Sequence, residues 1–356
     1  MKKLVSLILV VAMAITMLAC SGKTEQTTTT QPAAQTQADA PKQETPAVKP
    51  MDINFGAGAM GGTYYTVAST IKTVVEENCP SVKSVTVMTG GSNQFTNECQ
   101  FDGTVDVFMN TLDALNYAYS GAGKQGFEAG VKYDKLNVLS LMYGMPLMLI
   151  TLESNPIATA AEVKGKVGVG SATLQGPTTD LLKAAGVANP DVAVINDYNQ
   201  LNQGLIDGTY EAVIHTGPAP QAYTLSLISF AKVKILPLGE GAAKRAVEAG
   251  GDASFCQIVT VAKGAYEFVV EDYETIARTA SITCSEELPE QVVYEIVKAI
   301  YEHGDAITAV VPFSEMNKEG MQAVADSGLL NMPVHPGARK YYEEIGIVFP
   351  ASVPVK

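Results

Sequence analysis

Four glycine-marked turns hold the residues best suited to chemistry: Gly61-Gly62-Thr63-Tyr64-Tyr65, Gly90-Gly91-Ser92-Asn93, Gly176-Pro177-Thr178-Thr179 and Gly217-Pro218-Ala219-Pro220. Each falls between a short β-branched run and a stretch of helical character, so each reads as a strand-to-helix corner. The first turn of a helix leaves N–H groups without partners and carries a partial positive charge, which attracts anions. One such end contributes roughly 0.3–1 kcal/mol, and up to about 2 kcal/mol when sheltered. Singly, Gly-Gly-Thr and Gly-Pro are ordinary ways to begin a helix. Jointly, with Ser, Thr, Asn and Tyr donors beside them, four corners can hold a small carboxylate by non-covalent capture.

The elements that must position these corners alternate in the manner of parallel α/β architecture. Ile53-Asn54-Phe55 opens a strand and a helix follows to about Glu77. Ser84–Thr89 and Val105–Asn110 are further strands, each ahead of a helix, and Leu136–Tyr143 and Pro146–Leu152 are extended runs broken by Gly144. A second set begins after Pro156, with strands at Lys166–Gly170, Val192–Ile195, Tyr210–His215 and Lys232–Leu236. Apolar runs follow at Phe255–Val261 and Thr275–Thr283, and the end is helical over Pro289–Glu302, Ser314–Asp326 and Gly337–Glu344. The expected organisation is a first lobe at 51–145 and 255–356, a second at 146–254, and hinge crossings near 144–152 and 252–262. In a parallel sheet such corners lie at the carboxyl ends of the strands, where open α/β sheets bind ligands.

Charge narrows the partners. The chain has 24 basic and 37 acidic side chains, a net charge of −13. Nucleic-acid binding, which needs a basic footprint, is excluded. The first arginine is Arg245, followed only by Arg278 and Arg339, so the first two-thirds is expected to bind its partner without a guanidinium. No nucleophile elbow, His-Glu-x-x-His or phosphate-loop pattern occurs, and His215, His303 and His335 are scattered, so neither an enzyme, a cofactor nor a metal site is expected. Cys79, Cys99, Cys256 and Cys284 allow two disulfides, and Cys79–Cys99 is the favoured pair because each sits near the end of one of two consecutive helices.

The amino-terminal segment sets the compartment. Lys2 and Lys3 precede an apolar stretch from Leu4 to Met17, and Leu18-Ala19-Cys20 follows. This resembles a bacterial lipoprotein signal, residues 1–19, with lipid attached at Cys20 and an extracytoplasmic location. Residues 21–50 are rich in Thr, Gln, Ala, Pro and Lys, a composition expected to stay disordered as a tether.

Gly58-Ala59-Met60-Gly61-Gly62-Thr63-Tyr64-Tyr65 resembles the opening motif of TAXI-type solute-binding proteins, the extracytoplasmic subunits of one class of TRAP transporters. Gly91-Ser92-Asn93, Asp106-Val107-Phe108, Asn110-Thr111-Leu112-Asp113, Val163 to Gly170, Gly217-Pro218, Leu288-Pro289 and His335-Pro336-Gly337-Ala338 follow in the family's order. The resemblance covers residues 52–347. It implies a two-lobed, type II-like periplasmic-binding-protein fold with a hinge and an interlobe ligand cleft. It also implies a monomer that delivers a small organic anion (an amino acid such as glutamate, a dicarboxylate or a 2-oxo acid) to a membrane permease. On that reading Gly62, Thr63, Tyr64, Ser92 and Asn93 donate from the first lobe. Ser171, Thr173, Gln175, Gly176, Thr178, Gly217 and Pro218 close over the solute from the second. Asn110 and Asp113 stand in second rank, and Asp113 would meet an ammonium group if the solute is an amino acid. The stretch Gly170 to Thr178 departs from the family's Ser-Gly-Thr turn, so the resemblance does not carry the identity of the solute. An ABC-type binding protein and a tethered ligand sensor are the alternative readings.

Overall fold

The computed structural model describes residues 49–356 apart from Ala59 and Gly61. The expected signal, Cys20 and nearly all of the tether lie outside the described residues, as does Gly61 of the first corner. No described helix is long and apolar enough to cross a membrane.

The first half is built from β1 (Met51–Ala57), α1 (Thr63–Asn78), β2 (Val82–Thr89), α2 (Ser92–Asn97), β3 (Val107–Thr111) and α3 (Leu112–Ser120). Helix α1 forms because Val67, Ala68, Ile71, Val74 and Val75 fall on one face at helical spacing, and all five are buried. Each fully buried Val or Ile contributes about 1.5–3 kcal/mol. Strand β3 is buried at every position, as a central strand covered on both faces must be. Strands β2, β1 and β3 run parallel, so the turns that follow them share one edge.

Strand β4 (Leu136–Leu152) leads into the second half: β5 (Lys166–Val169), α4 (Gln175–Ala184), β6 (Asp191–Val194), α5 (Tyr198–Ile206), β7 (Ala212–Thr216), α6 (Ala222–Phe230), β8 (Val233–Ile235), α7 (Ala242–Glu248) and β9 (Gln257–Val261). Strand β10 (Tyr273–Ser285) returns to the first half, where α8 (Glu290–Glu302), α9 (Gly304–Val310), α10 (Lys318–Asp326) and α11 (Pro336–Glu344) complete the fold. Helix α9 carries only one buried apolar side chain, Ile307, and so has no periodic signal in the sequence. The strand order is β2-β1-β3-β10-β4-β7-β5-β6, with β8 beside β4 and β9 beside β10.

Two separate apolar cores sit on this sheet. One centres on Ile53, Phe108, Leu139 and Tyr342, the other on Leu149, Val167, Leu201 and Ile214. Only β4 and β10 run through both. They pair antiparallel, with Arg278 opposite Met145 and Thr279 opposite Gly144, and their register shifts at Ala280/Ser281 and Ile282/Thr283. Such bulges sharpen local twist, which turns one half against the other. Two expectations are corrected here. Gly144 does not break β4, because its neighbours are held in a ladder with β10. The return crossing is at Ala277–Thr279 rather than 252–262, because β9 and the following Tyr266, Phe268 and Tyr273 still pack in the second core.

The expected Cys79–Cys99 disulfide is also corrected: Cys79, Cys99, Cys256 and Cys284 are all unpaired and buried. Nearness to helix ends along the chain does not set Cβ directions, and a disulfide needs both. Burial, then the Glu295 charge, pushes the Cys79 thiol up to about 12. Cys99 is likewise pushed up to about 12, by burial and then by Asp106 and Glu287. Thiol titration of the folded body without reductant is therefore expected to find essentially no reactive cysteine under native conditions and all four after unfolding; two missing thiols would restore a disulfide.

Candidate functional site

Arg278 projects from the return crossing and is buried to 4 % exposure. An unpaired charge there would cost several kcal/mol. Its Nε donates to Asp113 Oδ2 at 2.8 Å, and Asp113 is fully buried. Its Nη2 donates to Thr111 Oγ1 at 2.5 Å and Gln125 Oε1 at 3.3 Å, and its Nη1 donates to Thr173 Oγ1 at 2.9 Å. Burial alone would lower the guanidinium's affinity for its proton, but the Asp113 charge and hydrogen bond outweigh it and hold the pKa above its usual value. Asp113 lies in the first turn of α3, where the helix end favours its negative charge. Its other oxygen, Oδ1, is buried without a partner. Thr111, Asp113 and Gln125 belong to the first half, whereas Thr173 belongs to the second. One guanidinium thus joins both halves at the hinge.

The remaining corners take the following places. Gly62 is the residue before α1, and Thr63 and Tyr64 form its first turn. The Tyr64 hydroxyl faces Met145 Sδ at 3.8 Å. Burial raises its pKa, Arg278 opposes the rise and Asp113 adds to it. Met145 stands opposite Arg278 in the ladder, which sets the Tyr64 hydroxyl beside the crossing. Ser92 and Asn93 open α2. The Asn93 amide donates to the Gln125 carbonyl at 2.8 Å and its oxygen accepts from Asn110 Nδ2 at 3.2 Å. Asn110 also donates to Thr96 Oγ1 at 3.0 Å. Tyr64, Asn93, Asn110, Asp113 and Thr173 therefore gather around Arg278 and Gln125.

Other expected residues are placed differently. Ser171 accepts from the Thr173 amide and shapes the turn before α4. Gln175 turns to the Val192 carbonyl at 3.0 Å, and Thr178 is fully buried in α4. Gly176 lies against Asp252: a Cβ there would stand 1.7 Å from Asp252 Oδ2. Gly217 and Pro218 are buried, and the Gln221 side chain donates to the Pro218 carbonyl at 2.6 Å. The helix that follows the Gly217-Pro218 corner starts only at Ala222, because Gln221 closes this turn on itself before the helix can begin. Behind that turn Tyr198 stacks on Tyr223 with ring centroids 3.9 Å apart, and both rings meet His215 edge-on. His215 is bonded to Thr224 and Asn202 through its two ring nitrogens, and burial lowers its pKa to about 3. Among the described residues no group of three or more His, Cys, Asp or Glu is placed to hold a metal.

Arg278 and Gln125 are the members of this candidate site that sequence reasoning did not single out. Arg278 lies beyond the first two-thirds, for which no guanidinium was expected, and it carried a signal: a lone charge inside the apolar run Thr275–Thr283, where a buried arginine requires a partner. Gln125 had none. It lies in a glycine-rich turn and is the only non-glycine among the described residues with positive φ, at 53°. Its Nε2 donates to Asp113 Oδ2 at 2.9 Å, so it touches both members of the ion pair.

A crevice of about 480 Å³ opens beside this cluster, lined by Lys124, Gln125, Thr173, Gly176, Asp180 and Asp252. A groove of about 520 Å³ lies elsewhere, between β8 and the start of β10, with Lys232, Lys234, Glu267 and Glu271 on its walls. The Arg278 cluster, which shares Gln125 and Thr173 with the first crevice, is the candidate site, because its charge is buried, paired and held from both halves.

Among solved structures the chain is similar to malate-bound MatC of Rhodopseudomonas palustris, at 14 % identity over 83 % of this chain and 98 % of that one, with a TM-score of 0.50. A TRAP periplasmic solute-binding protein of Ochrobactrum anthropi, with its C-terminus in its ligand pocket, matches at 14 % identity, 86 % and 92 % coverage and a TM-score of 0.48. The periplasmic aliphatic sulphonate binding protein SsuA of Escherichia coli matches at 13 %, 83 % and 84 %, and 0.47. At these identities the first likeness speaks for the fold, and the other two add no argument to it. The two cores joined by crossing strands make a two-lobed α/β fold, and the likeness to MatC is a likeness of that fold. The NMT1-like family matches residues 55–346, most of the chain, and this protein belongs to it.

Proposed function

We propose that this protein is the extracytoplasmic, lipid-tethered solute-binding subunit of a TAXI-type TRAP transporter. It captures a small organic anion between its halves and passes it to a membrane permease driven by an ion gradient. One observation carries the reading: Arg278, buried at the hinge, is bonded to Thr111, Asp113 and Gln125 of one half and to Thr173 of the other. The order of motifs from Gly58 to Ala338 supports the choice of transporter class.

The solute's carboxylate meets the Nη1 and Nη2 groups of Arg278 in place of Thr173 Oγ1 and Gln125 Oε1, two of its three neutral acceptors. Those bonds carry charge on the arginine side alone, whereas a carboxylate adds the opposite charge and two acceptor oxygens that match the guanidinium fork. The corner hydroxyls and amides of Thr63, Ser92 and Ser171 then surround the rest of the molecule. Asp113 already balances Arg278, so the cluster is close to neutral and favours a zwitterion, an α-amino acid such as glutamate, whose ammonium reaches Asp113 Oδ1. Closure follows because a solute held by both halves binds the closed state better, and it shifts the equilibrium by that difference alone.

Calorimetry of the folded body against amino acids, dicarboxylates and 2-oxo acids, guided by native mass spectrometry of co-purified material, tests this reading. Binding of at least one such anion with a thermal shift is expected, and silence across the whole panel overturns it. Asn93→Ala is expected to weaken binding about tenfold without unfolding the protein, because it releases the Gln125 carbonyl and the Asn110 amide together, each bond contributing roughly 0.5–1.5 kcal/mol.

A further inference from the structure

Beside the Arg278 cluster, a second polar contact spans the two halves. Asp252 sits in the short helical turn Asp252–Phe255, which packs in the second core through Ala253. Its Oδ1 accepts from two groups of the first half: the Tyr117 hydroxyl on α3 and Lys124 Nζ at 2.8 Å. Lys124 also lies over the Tyr117 ring, 5.0 Å from its centroid, and the Tyr117 ring meets Phe255 edge-on at 5.1 Å. The Asp252 side chain is 20 % exposed and Lys124 51 %.

The second half holds this carboxylate in advance. Gly176, in the first turn of α4, leaves the space that Asp252 Oδ2 occupies, and the helix end there favours a negative charge. Asp180 accepts from the Ala253 amide at 3.0 Å and fixes the turn. On the other side, Lys124 is the direct neighbour of Gln125, which touches both Asp113 and Arg278. Gly123, Gln125 and Gly126 all have positive φ, so the turn is held in one particular conformation by these contacts.

We propose that Asp252, with Tyr117 and Lys124, is an interlobe latch that holds the two halves closed, and that the Lys124-Gln125 turn couples it to the ion pair at the solute site. The latch goes beyond solute capture: it sets the resting balance between closed and open protein before any solute arrives. A charge-assisted bond to a largely buried tyrosine is the stronger arm, and the exposed lysine is the weaker one.

Single-molecule energy transfer tests this without solute, so the outcome is independent of whether any carboxylate binds. In the folded body without Cys20, Lys83→Cys in the first half and Lys244→Cys in the second place labels at exposed positions, 67 % and 68 % exposed, while the four cysteines among the described residues are buried. Asp252→Asn is expected to lower the closed-to-open ratio about tenfold, Tyr117→Phe about fivefold and Lys124→Ala about threefold. The Tyr117→Phe, Lys124→Ala double variant should fall no further than Asp252→Asn. If Asp252→Asn does not fold, Tyr117→Phe, which removes one oxygen, decides the matter. An unchanged distance distribution in variants that still unfold cooperatively overturns the latch.

Discussion

Arg278→Gln is expected to abolish carboxylate binding, weakening it by at least about a hundredfold, and to destabilise the fold by about 3–5 kcal/mol, the cost of breaking a buried ion pair by removing one partner. The two effects have different origins. Glutamine can keep a hydrogen bond to Thr111 or Thr173, but it offers no charge to a solute and leaves Asp113 buried and uncompensated. Arg278→Lys should fail as well, since one ammonium cannot reproduce a planar fork that reaches Asp113, Thr111, Gln125 and Thr173 at once. The double variant Arg278→Gln, Asp113→Asn separates binding from folding: it should recover most of the lost stability in thermal melts and none of the affinity in calorimetry. Full binding by Arg278→Gln would remove the guanidinium from the site.

Why this residue was hard to see says much about what the sequence carries. Helices α1 and α5 were legible because apolar spacing and flanking turns agree: Val67, Ile71 and Val74 on one face, and Asp197 before Tyr198 with Asp207-Gly208 after Ile206. The parallel strands β1, β5 and β7 were legible for the same reason. The corners at Gly62, Asn93 and Thr173 were visible as turn chemistry. What periodicity cannot give is the third dimension. A run such as Thr275–Thr283 reads as a buried strand whichever core it crosses, so the arginine within it is weighed only when β3 and β4 are found on either side. The crossing at Ala277–Thr279, rather than in 252–262, is a matter of which core Phe268 and Tyr273 join, and both lie far from their neighbours in sequence. Gly217-Pro218 has the composition of a helix start, yet the Gln221 side chain turns back on Pro218 and delays the helix. Gln125 is the extreme case, a polar residue among glycines whose role exists only through Asp113, Arg278 and Asn93.

Asp113→Asn is expected to reverse the solute preference of the site. In the native protein the Asp113 carboxylate offsets Arg278, and its Oδ1 is buried with no protein partner. On the proposed reading an amino acid uses that oxygen for its ammonium group, whereas a 2-oxo acid of the same length presents a carbonyl and one more net negative charge. Asparagine leaves Arg278 as an unbalanced buried cation and removes the acceptor charge. Affinity for glutamate should then fall about thirtyfold, within the 2–5 kcal/mol typical of truncating one member of a buried charge pair. Affinity for 2-oxoglutarate should rise, because the anion now supplies the missing balance. The same logic predicts a thermal signature: the unliganded variant melts earlier, by the cost of an unpaired guanidinium, and saturating 2-oxoglutarate restores more stability to it than to the parent, since a ligand that binds only the folded state stabilises it in proportion to its affinity. Calorimetry and melting with the two matched solutes read both effects. Equal losses for glutamate and 2-oxoglutarate would mean that Asp113 serves only to hold Arg278 in place, and the ammonium contact would then have to be withdrawn while the carboxylate contact stood.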